Sequence, residues 1–222
     1  MIFLGDVAIA PEDIIKHKGF LPIFSDKPLC INLEGSLSYA KKSPKRGVVN
    51  SHKILEIFKD FNLSLVSIAN NHISDQKNGI LNTIKFFNQN KIKVSGGEIS
   101  KSSKQNPVCI GDYQIFSYGW EVIGCKKSKI NRPGIYNLNP YEIISQIKEF
   151  MLNNPKNKII INFHWNYEFE KYPQPAHRKL AHKLIDLGVY SIVGHGPHVV
   201  GPIEVYKNKY IIYSLGNWAI SR

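Results

Sequence analysis

The segment Ile159-Ile160-Ile161-Asn162-Phe163-His164 is a short apolar run that ends on a histidine. An apolar run of this length predicts a buried strand, here over residues 159–163. Similar runs predict strands over residues 2–4, 29–33, 63–68, 91–95, 108–110, 114–118, 190–193, 203–206 and 210–214. Apolar residues at helical spacing predict helices over residues 51–61, 79–90, 140–153 and 174–187.

The alternation of these strands and helices indicates an α/β fold class with more than one sheet layer. Two dipeptides, Gly111-Asp112 and Lys207-Asn208, separate neighbouring strands and predict hairpins. The length of 222 residues suits one α/β unit, so residues 1–222 are expected to form a single domain. Because 43 % of the residues are hydrophobic, the chain can build a core, and intrinsic disorder is excluded.

The chain is strongly basic, with 29 Lys and Arg residues against 17 Asp and Glu residues and a formal net charge of +12. Such an excess concentrates anions near the protein. A solvated lysine-rich surface without a specific partner is at least as good an interpretation. The densest basic patch is the loop over residues 41–47, with Lys45 and Arg46, which is either solvated or a flap over an anionic substrate.

Signals of a membrane protein or an exported protein are absent from the sequence. No apolar run approaches the roughly 20 residues that span a bilayer, and the chain opens on a strand without a leader. Cys30, Cys109 and Cys125 are odd in number and form no C-x-x-C pair, which indicates reduced thiols. We therefore expect a soluble, cytoplasmic protein without a membrane span.

Polar side chains lie at the ends of six predicted strands. They are Asp6, Asn32, Glu34, Asn70, Asn71, His72, His164, His195, His198 and Asn217. Ligands of open α/β sheets bind at the carboxyl ends of strands, so these side chains are expected to share one site. A Gly-Pro turn lets His195 and His198 face one cavity. With His164 and two carboxylates, this set of donors suits Zn, Mn or Fe.

The number of donors favours two metal ions over one. The candidate metal ligands are Asp6, Glu34, Asn71, His164, His195 and His198. Two ions about 3.5 to 4 Å apart ionise a shared water near neutral pH and stabilise both oxygens of an in-line displacement. Phosphoryl transfer needs this arrangement most directly. The predicted cofactors are therefore two divalent ions.

Six blocks along the chain follow one another in a recognisable order. They are Gly5-Asp6-Val7, Asn32-Leu33-Glu34-Gly35, Ala69-Asn70-Asn71-His72 with Asp75, His164-Trp165 with Glu168, Gly194-His195-Gly196-Pro197-His198-Val199 and Tyr213-Ser214-Leu215-Gly216-Asn217. In this order the blocks resemble the CapA family of poly-γ-glutamate capsule biosynthesis proteins. The resemblance implies a calcineurin-like metallophosphatase fold, a four-layer α/β/β/α sandwich with a dinuclear site at one edge of the sheets.

The resemblance also implies how the two ions would be shared. Asp6 and His198 would hold one ion, and Asn71 and His164 would hold the other. Glu34 would bridge them. A standard metallophosphatase has Asp at this bridging position, so Glu34 adds one methylene and could change the metal spacing.

Further roles follow from the same resemblance. His195 would complete the ligand set, and His72 would act as the catalytic acid that protonates the leaving group. Residues expected to orient these side chains or to bind substrate are Asn32, Asp75, Glu168, Asn217, Lys45 and Arg46. The family usually has other residues at Asn166, His177 and Trp218. The histidines outside the blocks are expected to be surface residues without a role: His17, His52, His177 and His182.

The leading hypothesis is a CapA-like metal-dependent phosphoesterase of capsule or poly-γ-glutamate biosynthesis, with a bridging hydroxide as nucleophile and His72 as acid. The alternative is a protein that binds or assembles an anionic polymer and has a structural or degenerate metal site. A nucleic-acid partner is disfavoured, because the chain has no basic helix and no binding motif. The substrate, the metal identity and the oligomeric state are left open.

Overall fold

Two β-sheets form the centre of the computed structural model, which describes residues 1–13, 26–101 and 104–221. The strands are β1 (Ile2–Ala8), β2 (Leu29–Leu33), β3 (Ser36–Ser38), β4 (Val49–Ser51), β5 (Leu63–Ser67), β6 (Lys93–Ser95), β7 (Gly97–Glu98), β8 (Val108–Ile110), β9 (Tyr113–Gly119), β10 (Gly134–Ile135), β11 (Lys158–His164), β12 (Ser191–His195), β13 (Ile203–Tyr206), β14 (Lys209–Ile212) and β15 (Asn217–Ile220). The helices are α1 (Gly79–Gln89), α2 (Pro140–Asn153) and α3 (Pro175–Asp186).

Within the described residues, the first sheet has the strand order β15-β1-β2-β5-β6, and all its strands are parallel. The second sheet has the order β13-β14-β12-β11-β9-β8. Its central strands are parallel, and the edge strands β13 and β8 are antiparallel to their neighbours. The carboxyl ends of parallel strands share one edge, so each sheet gathers the residues at these ends on one side.

Three apolar clusters define the layers. On β2, Ile31 packs in a cluster with Phe87 of α1, whereas its neighbour Cys30 lies in a cluster with residues of the second sheet. On β11, Ile161 packs with residues of α2 and α3, whereas Ile160 faces the first sheet. Side chains alternate between the two faces of a strand, so each sheet contacts helices on one face and the other sheet on its second face. The predicted four-layer α/β/β/α class is confirmed.

Helix α2 shows how local sequence specifies these layers. Asn139 precedes the helix, and its side-chain oxygen accepts hydrogen bonds from the backbone N–H groups of Tyr141 and Glu142. Pro140 occupies the first turn, where its missing N–H has no helical partner to lose. Ile143 and Ile147 lie one turn apart and are buried against the second sheet.

Both predicted hairpins are present. Strands β8 and β9 are antiparallel and joined at Gly111, which has a φ of 56°. Strands β13 and β14 are joined by Lys207 and Asn208, whose φ values are 48° and 59°. Two consecutive positive φ values match the turn twist that suits a two-residue hairpin.

The helix predicted over residues 51–61 is wrong. Ser51 belongs to β4, and only Ile54–Glu56 form a short 3-10 turn. Both ends of this segment are tied to strands, because the Ser51 N–H donates to the Ile9 carbonyl and the Asn62 carbonyl accepts from the Leu29 N–H. Between these anchors, the N–H groups of Glu56, Ile57 and Phe58 donate to carbonyls three residues earlier, which is the 3-10 pattern, and not four residues earlier.

Several strand bounds also differ from the prediction. Strands β1, β11 and β12 extend further than their apolar runs, so Asp6, His164 and His195 lie inside strands rather than after them. Their polar side chains interrupt the apolar pattern although their backbones continue the ladder. The strands absent from the prediction are the short, partly polar elements β3, β4, β7, β10 and β15.

All three cysteines are free thiols, as expected; Cys30 and Cys125 are buried and Cys109 is exposed. In the ranges 1–13, 26–101 and 104–221, no helix combines the length and the apolar character that crossing a membrane requires.

Candidate metal centre

The carboxyl ends of the two sheets bring the candidate ligands together. In the first sheet, Asp6 of β1 lies opposite Asn32 of β2 and opposite Asn217 of β15. In the second sheet, His164 of β11 lies opposite His195 of β12. The two edges meet, because the Nδ1 atom of His195 lies 3.0 Å from the Oδ1 atom of Asp6.

Two buried carboxylates share one amide group. The Nδ2 atom of Asn32 donates to Oδ1 of Asp6 at 2.8 Å and to Oε2 of Glu34 at 3.0 Å. Asp6 is completely buried, and Glu34 and Asn32 are nearly so. Two ionised carboxylates this close repel each other strongly away from water unless a cation or a proton lies between them.

Two imidazoles face Asp6 from the second sheet. His195 contacts Oδ1, and the Nδ1 atom of His198 lies 3.1 Å from Oδ2. The turn between the histidines depends on Gly196, which has a φ of +109° and whose Cβ, if present, would lie 2.7 Å from the Trp165 carbonyl oxygen. His198 also lies 2.8 Å from Oδ1 of Asn217.

A second group of donors lies at the other carboxylate. The Nε2 atom of His164 is 2.9 Å from Oδ1 of Asn71 and 3.7 Å from Oε1 of Glu34. One donor atom each from Asp6, Glu34 and His164 lie within 4.8 Å of one another. The structure therefore places all six candidate metal ligands in one connected cluster.

The cluster shifts the pKa values of its own members. Burial favours a higher pKa for Asp6, but the hydrogen bonds of His195 and His198 outweigh it and hold that pKa well below its usual range. Burial and the Asp6 charge raise the pKa of Glu34 to about 8. Burial lowers the pKa of His164 to about 3. Burial opposes the charged form of His198, yet its contacts with Asp6 raise its pKa to about 9.

The residues present fit divalent ions. Among the described residues, Oε1 of Glu34 and Nδ1 of His164 are buried without a hydrogen-bond partner. Carboxylate, imidazole and amide donors together match Zn, Mn or Fe better than Ca or Mg. A cation bound here would replace protons on the carboxylate and imidazole side chains, so metal binding would release protons.

Asn70 holds together the two loops that carry the candidate ligands Glu34 and Asn71. Its Oδ1 atom accepts from the backbone N–H groups of Gly35, His72 and Ile73, and its Nδ2 atom donates to the Leu33 carbonyl. The sequence singles out Asn70 only as one of the strand-end residues and assigns it no role. In the structure it is fully buried and holds the backbone on either side of Glu34 and Asn71 in register.

His72 and the basic loop meet at Asp75. The Oδ2 atom of Asp75 lies 2.7 Å from Nδ1 of His72 and accepts from the Val48 N–H at 2.9 Å. Gly47 ends the basic loop with a φ of +86°, and a Cβ there would lie 2.7 Å from the Asp75 Cβ. Lys45 and Arg46, which are exposed, directly precede this contact.

Glu168 and His177 lie in surroundings that differ from those expected from the sequence. Glu168 lies in an exposed turn, and no hydrogen bond or ion pair within the described residues joins it to the cluster. His177, expected on the surface, is buried between the rings of Trp120 and Trp165, and burial lowers its pKa to about 4. His17 lies outside the described residues.

The remaining histidines outside the cluster are partly buried structural residues. His52 stacks on the ring of Tyr39, and His182 stacks on Tyr206 while its Nε2 atom lies 2.9 Å from Glu204. Neither contacts the cluster through a hydrogen bond or ion pair in the described part of the chain.

The layer order and the polar side chains at the carboxyl ends of the strands define a four-layer α/β/β/α protein. A family model described as "Bacterial capsule synthesis protein PGA_cap" matches residues 2–221. The chain belongs to this family, and the resemblance to the CapA family is confirmed.

Individual relatives agree with this membership. The chain is 28 % identical to "PGA biosynthesis protein CapA" of Bacillus subtilis (strain 168), with 99 % of this chain and 63 % of that protein covered. It is 30 % identical to "Capsule biosynthesis protein CapA" of Bacillus anthracis, with 86 % of this chain and 48 % of that protein covered. The chain thus spans between 48 % and 63 % of the length of these curated relatives.

A solved structure shares the fold. The crystal structure of a hypothetical protein from Thermus thermophilus has a TM-score of 0.55 and 14 % identity, with 96 % of this chain and 75 % of that chain covered. At this identity the likeness concerns the fold alone.

Proposed function

We propose that the chain is a metal-dependent phosphoester hydrolase that acts in the biosynthesis of a capsule or poly-γ-glutamate polymer. The observation that carries this proposal is the pair Asp6 and Glu34, two buried carboxylates on one amide nitrogen with imidazoles on both sides. An apolar environment tolerates such a pair when cations neutralise it.

The geometry suggests how two ions would be divided. Asp6 with His195 and His198 would hold one ion, Asn71 with His164 would hold the other, and Glu34 would lie between them. Divalent ions held there would activate water and polarise the phosphoryl oxygens of a substrate. The protein's own contribution is to keep these donors dry, close together and correctly oriented.

His72 is proposed as the catalytic acid. Its neighbour Asn71 is a candidate ligand, so the imidazole stands beside the centre while its Nδ1 atom is engaged by Asp75. With a proton on Nδ1 directed at the carboxylate, Nε2 is the atom that would deliver a proton to the leaving oxygen. Asp75 would hold the ring in this orientation.

The basic loop over residues 41–47 is proposed to neutralise the substrate. Asp75 receives the Val48 N–H, so the loop ends next to His72. Lys45 and Arg46 would meet the charge of an anionic substrate there. The names of the curated relatives refer to capsule and PGA biosynthesis, which supports a polymer pathway as the setting.

The test combines metal analysis with a substrate panel. Protein loaded with Mn, Fe or Zn should bind close to two ions per chain and hydrolyse at least one phosphomonoester or phosphodiester. H72A should retain the metal and lose turnover, whereas H182A, which removes a histidine that contacts Tyr206 and Glu204, should retain both. Salt-sensitive binding to polyglutamate without hydrolysis, whichever metal is supplied, would replace the hydrolase by a polymer-binding function.

A further inference from the structure

Three aromatic side chains are exposed on the loop over residues 166–172, which follows β11 and which we call the aromatic loop. They are Tyr167, Phe169 and Tyr172, and their exposed fractions are 48 %, 56 % and 71 %. Single exposed apolar side chains are ordinary, but several in one place mark a binding surface. None of the three rings belongs to the metal centre, so the centre alone does not account for them.

The aromatic loop borders the turn that carries two of the histidines. The backbone N–H of Phe169 donates to the carbonyl of Pro197 at 2.8 Å. Pro197 lies between His195 and His198 in the sequence. Phe169 is therefore hydrogen-bonded to the residue directly before a candidate metal ligand.

A second loop at the same sheet edge supports the rings. Trp120 directly follows β9, and its N–H donates to the carbonyl of His164 at 2.9 Å. The ring of Trp120 packs edge-to-face against Tyr167, with the two centroids 5.3 Å apart. Because β9 and β11 are neighbouring parallel strands, both loops leave the sheet at the edge where the metal centre lies. A substrate with its phosphoryl group at the centre can reach the aromatic loop with its remaining part.

Hydrogen bonds hold the aromatic loop in one shape. The side chain of Asn166 is buried, donates to the Tyr172 carbonyl at 2.8 Å and accepts from the Gln174 amide at 3.1 Å. Asn166 and Phe169 have φ values of 68° and 62°. Left-handed backbone is uncommon for a residue as bulky as Phe, and such conformations cluster at functional sites. A loop that is ordered before its ligand arrives loses less entropy on binding.

Acidic residues alternate with the aromatic residues of this loop. Glu168 separates Tyr167 from Phe169, and Glu170 follows Phe169. The carboxylate of Glu168 is exposed and, within the described residues, forms no hydrogen bond or ion pair. A carboxylate accepts strong hydrogen bonds from hydroxyl groups, whereas an aromatic ring packs on a flat apolar face. A sugar ring offers hydroxyls at its rim and C–H groups on its faces, so it matches both kinds of side chain.

We propose that the aromatic loop binds the sugar ring of a sugar monophosphate. This inference rests on the proposed function, because it places the phosphoryl group of the same substrate at the metal centre. The ring of Phe169 would pack on one face of the sugar, and the carboxylate of Glu168 would accept one of its hydroxyls. Phe169 and Glu168 would select the substrate, and Asn166 would keep the loop in position.

The experiment measures binding by isothermal titration calorimetry to Mn-loaded H72A, in which slow turnover leaves the ligand intact. The probes are glucose 6-phosphate and sorbitol 6-phosphate, which has the same carbon chain but no ring. Glucose 6-phosphate should bind at least about fivefold more tightly. Adding F169A should remove this preference, and adding E168Q should weaken the binding of glucose 6-phosphate by about twofold or more. The matched control Y141A, which removes a ring that is 86 % exposed on α2, should change neither result.

Adenosine monophosphate and phenyl phosphate test other kinds of ring. The proposal is overturned if either of them binds more tightly than glucose 6-phosphate, if sorbitol 6-phosphate binds equally well, or if F169A and Y141A have equal effects. F169L is interpreted in the same way if F169A does not fold.

This inference and the proposed function fail separately. If glucose 6-phosphate binds through Phe169 but the wild type does not hydrolyse any phosphoester, the hydrolase is contradicted and the sugar site stands. If the wild type hydrolyses glucose 6-phosphate with a KM that F169A does not change, the sugar site is contradicted and the hydrolase stands.

Discussion

The Nδ1 atom of His72 lies 2.7 Å from the Oδ2 atom of Asp75, and that oxygen also accepts the Val48 N–H. The carboxylate is therefore fixed by the backbone and in turn fixes the imidazole. A single oxygen couples the proposed acid to the end of the basic loop.

This coupling predicts that His72 and Asp75 act as a unit. H72A should lower turnover by roughly 10² to 10⁴-fold, the usual range for a positioned acid. D75N should lower it less, and H72A/D75N should be no slower than H72A alone, because Asp75 acts through the imidazole. Steady-state kinetics at constant metal content measure the turnover number of all three variants. If the effects of the two substitutions add, His72 and Asp75 do not act as a unit.

Metal removal should destabilise the protein. Without cations, Asp6 and Glu34 remain buried side by side, so chelation should lower the melting temperature and added Mn or Zn should restore it. An ion at 100 times its dissociation constant adds about 2.7 kcal/mol to the free energy of unfolding. D6N should abolish the metal-dependent shift while D60N, which changes an exposed carboxylate, preserves it; an equal shift in both variants would contradict the assignment of Asp6.

Asn70 should contribute strongly to stability and to the centre. N70A removes a buried side chain with four backbone hydrogen bonds, so the free energy of unfolding should fall by about 2 to 4 kcal/mol. N153A, which removes one exposed hydrogen bond at the end of α2, should change it by less than about 0.5 kcal/mol. Urea unfolding compares the two, and a small effect of N70A would show that the loops hold together without it.

The basic loop should affect substrate binding more than chemistry. K45Q/R46Q should raise KM for an anionic substrate and reduce its salt dependence, because exposed charges act through a screened field. The turnover number should change little. K179Q/K183Q serves as the control for net charge, and an equal rise of KM in both double variants would assign the effect to overall charge.

Glu204 should make stability depend on pH in the acid range. Hydrogen bonds from Arg178, opposed by partial burial and assisted by Tyr213 and His182, lower its pKa to about 2. Because the folded pKa is depressed, this stabilisation is complete above the unfolded value near 4.5 and is lost as the pH falls towards 2. E204Q should cost about 1 kcal/mol at pH 7.

Thermal unfolding at several pH values checks this expectation. The difference between wild type and E204Q should be constant from pH 7 to about 5 and should narrow below the pKa of an unfolded Glu. If the stability difference between wild type and E204Q does not change with pH, Glu204 stabilises the protein through packing and not through its charge.

Much of the candidate site follows from one property of parallel sheets. Strand runs can be recognised from their apolar residues, and the polar side chains at their carboxyl ends must share an edge. Asp6, His164 and His195 therefore converge although they are distant in sequence. Their placement inside the strands was not predictable from hydropathy, because a buried polar side chain interrupts the apolar pattern while its backbone continues the strand ladder.

Other features depend on tertiary contacts that a one-dimensional pattern does not carry. The segment predicted as a helix is hydrogen-bonded to distant backbone at Ser51 and Asn62 and contains only a 3-10 turn. His177 is different, since it stands three and four residues before Leu180 and Ala181 on α3 and so shares their buried face. Its helical position was a usable signal, whereas the stacking on Trp120 and Trp165 was not.

The contact between Asp6 and His195 joins residues 189 positions apart. Strand β1 supplies the carboxylate and strand β12 supplies the imidazole, so this contact joins the first strand of one sheet to a central strand of the other. A chain that ended before residue 195 would retain the hydrogen bonds of Asn32 to Asp6 and Glu34 but would leave Asp6 without its two imidazole partners.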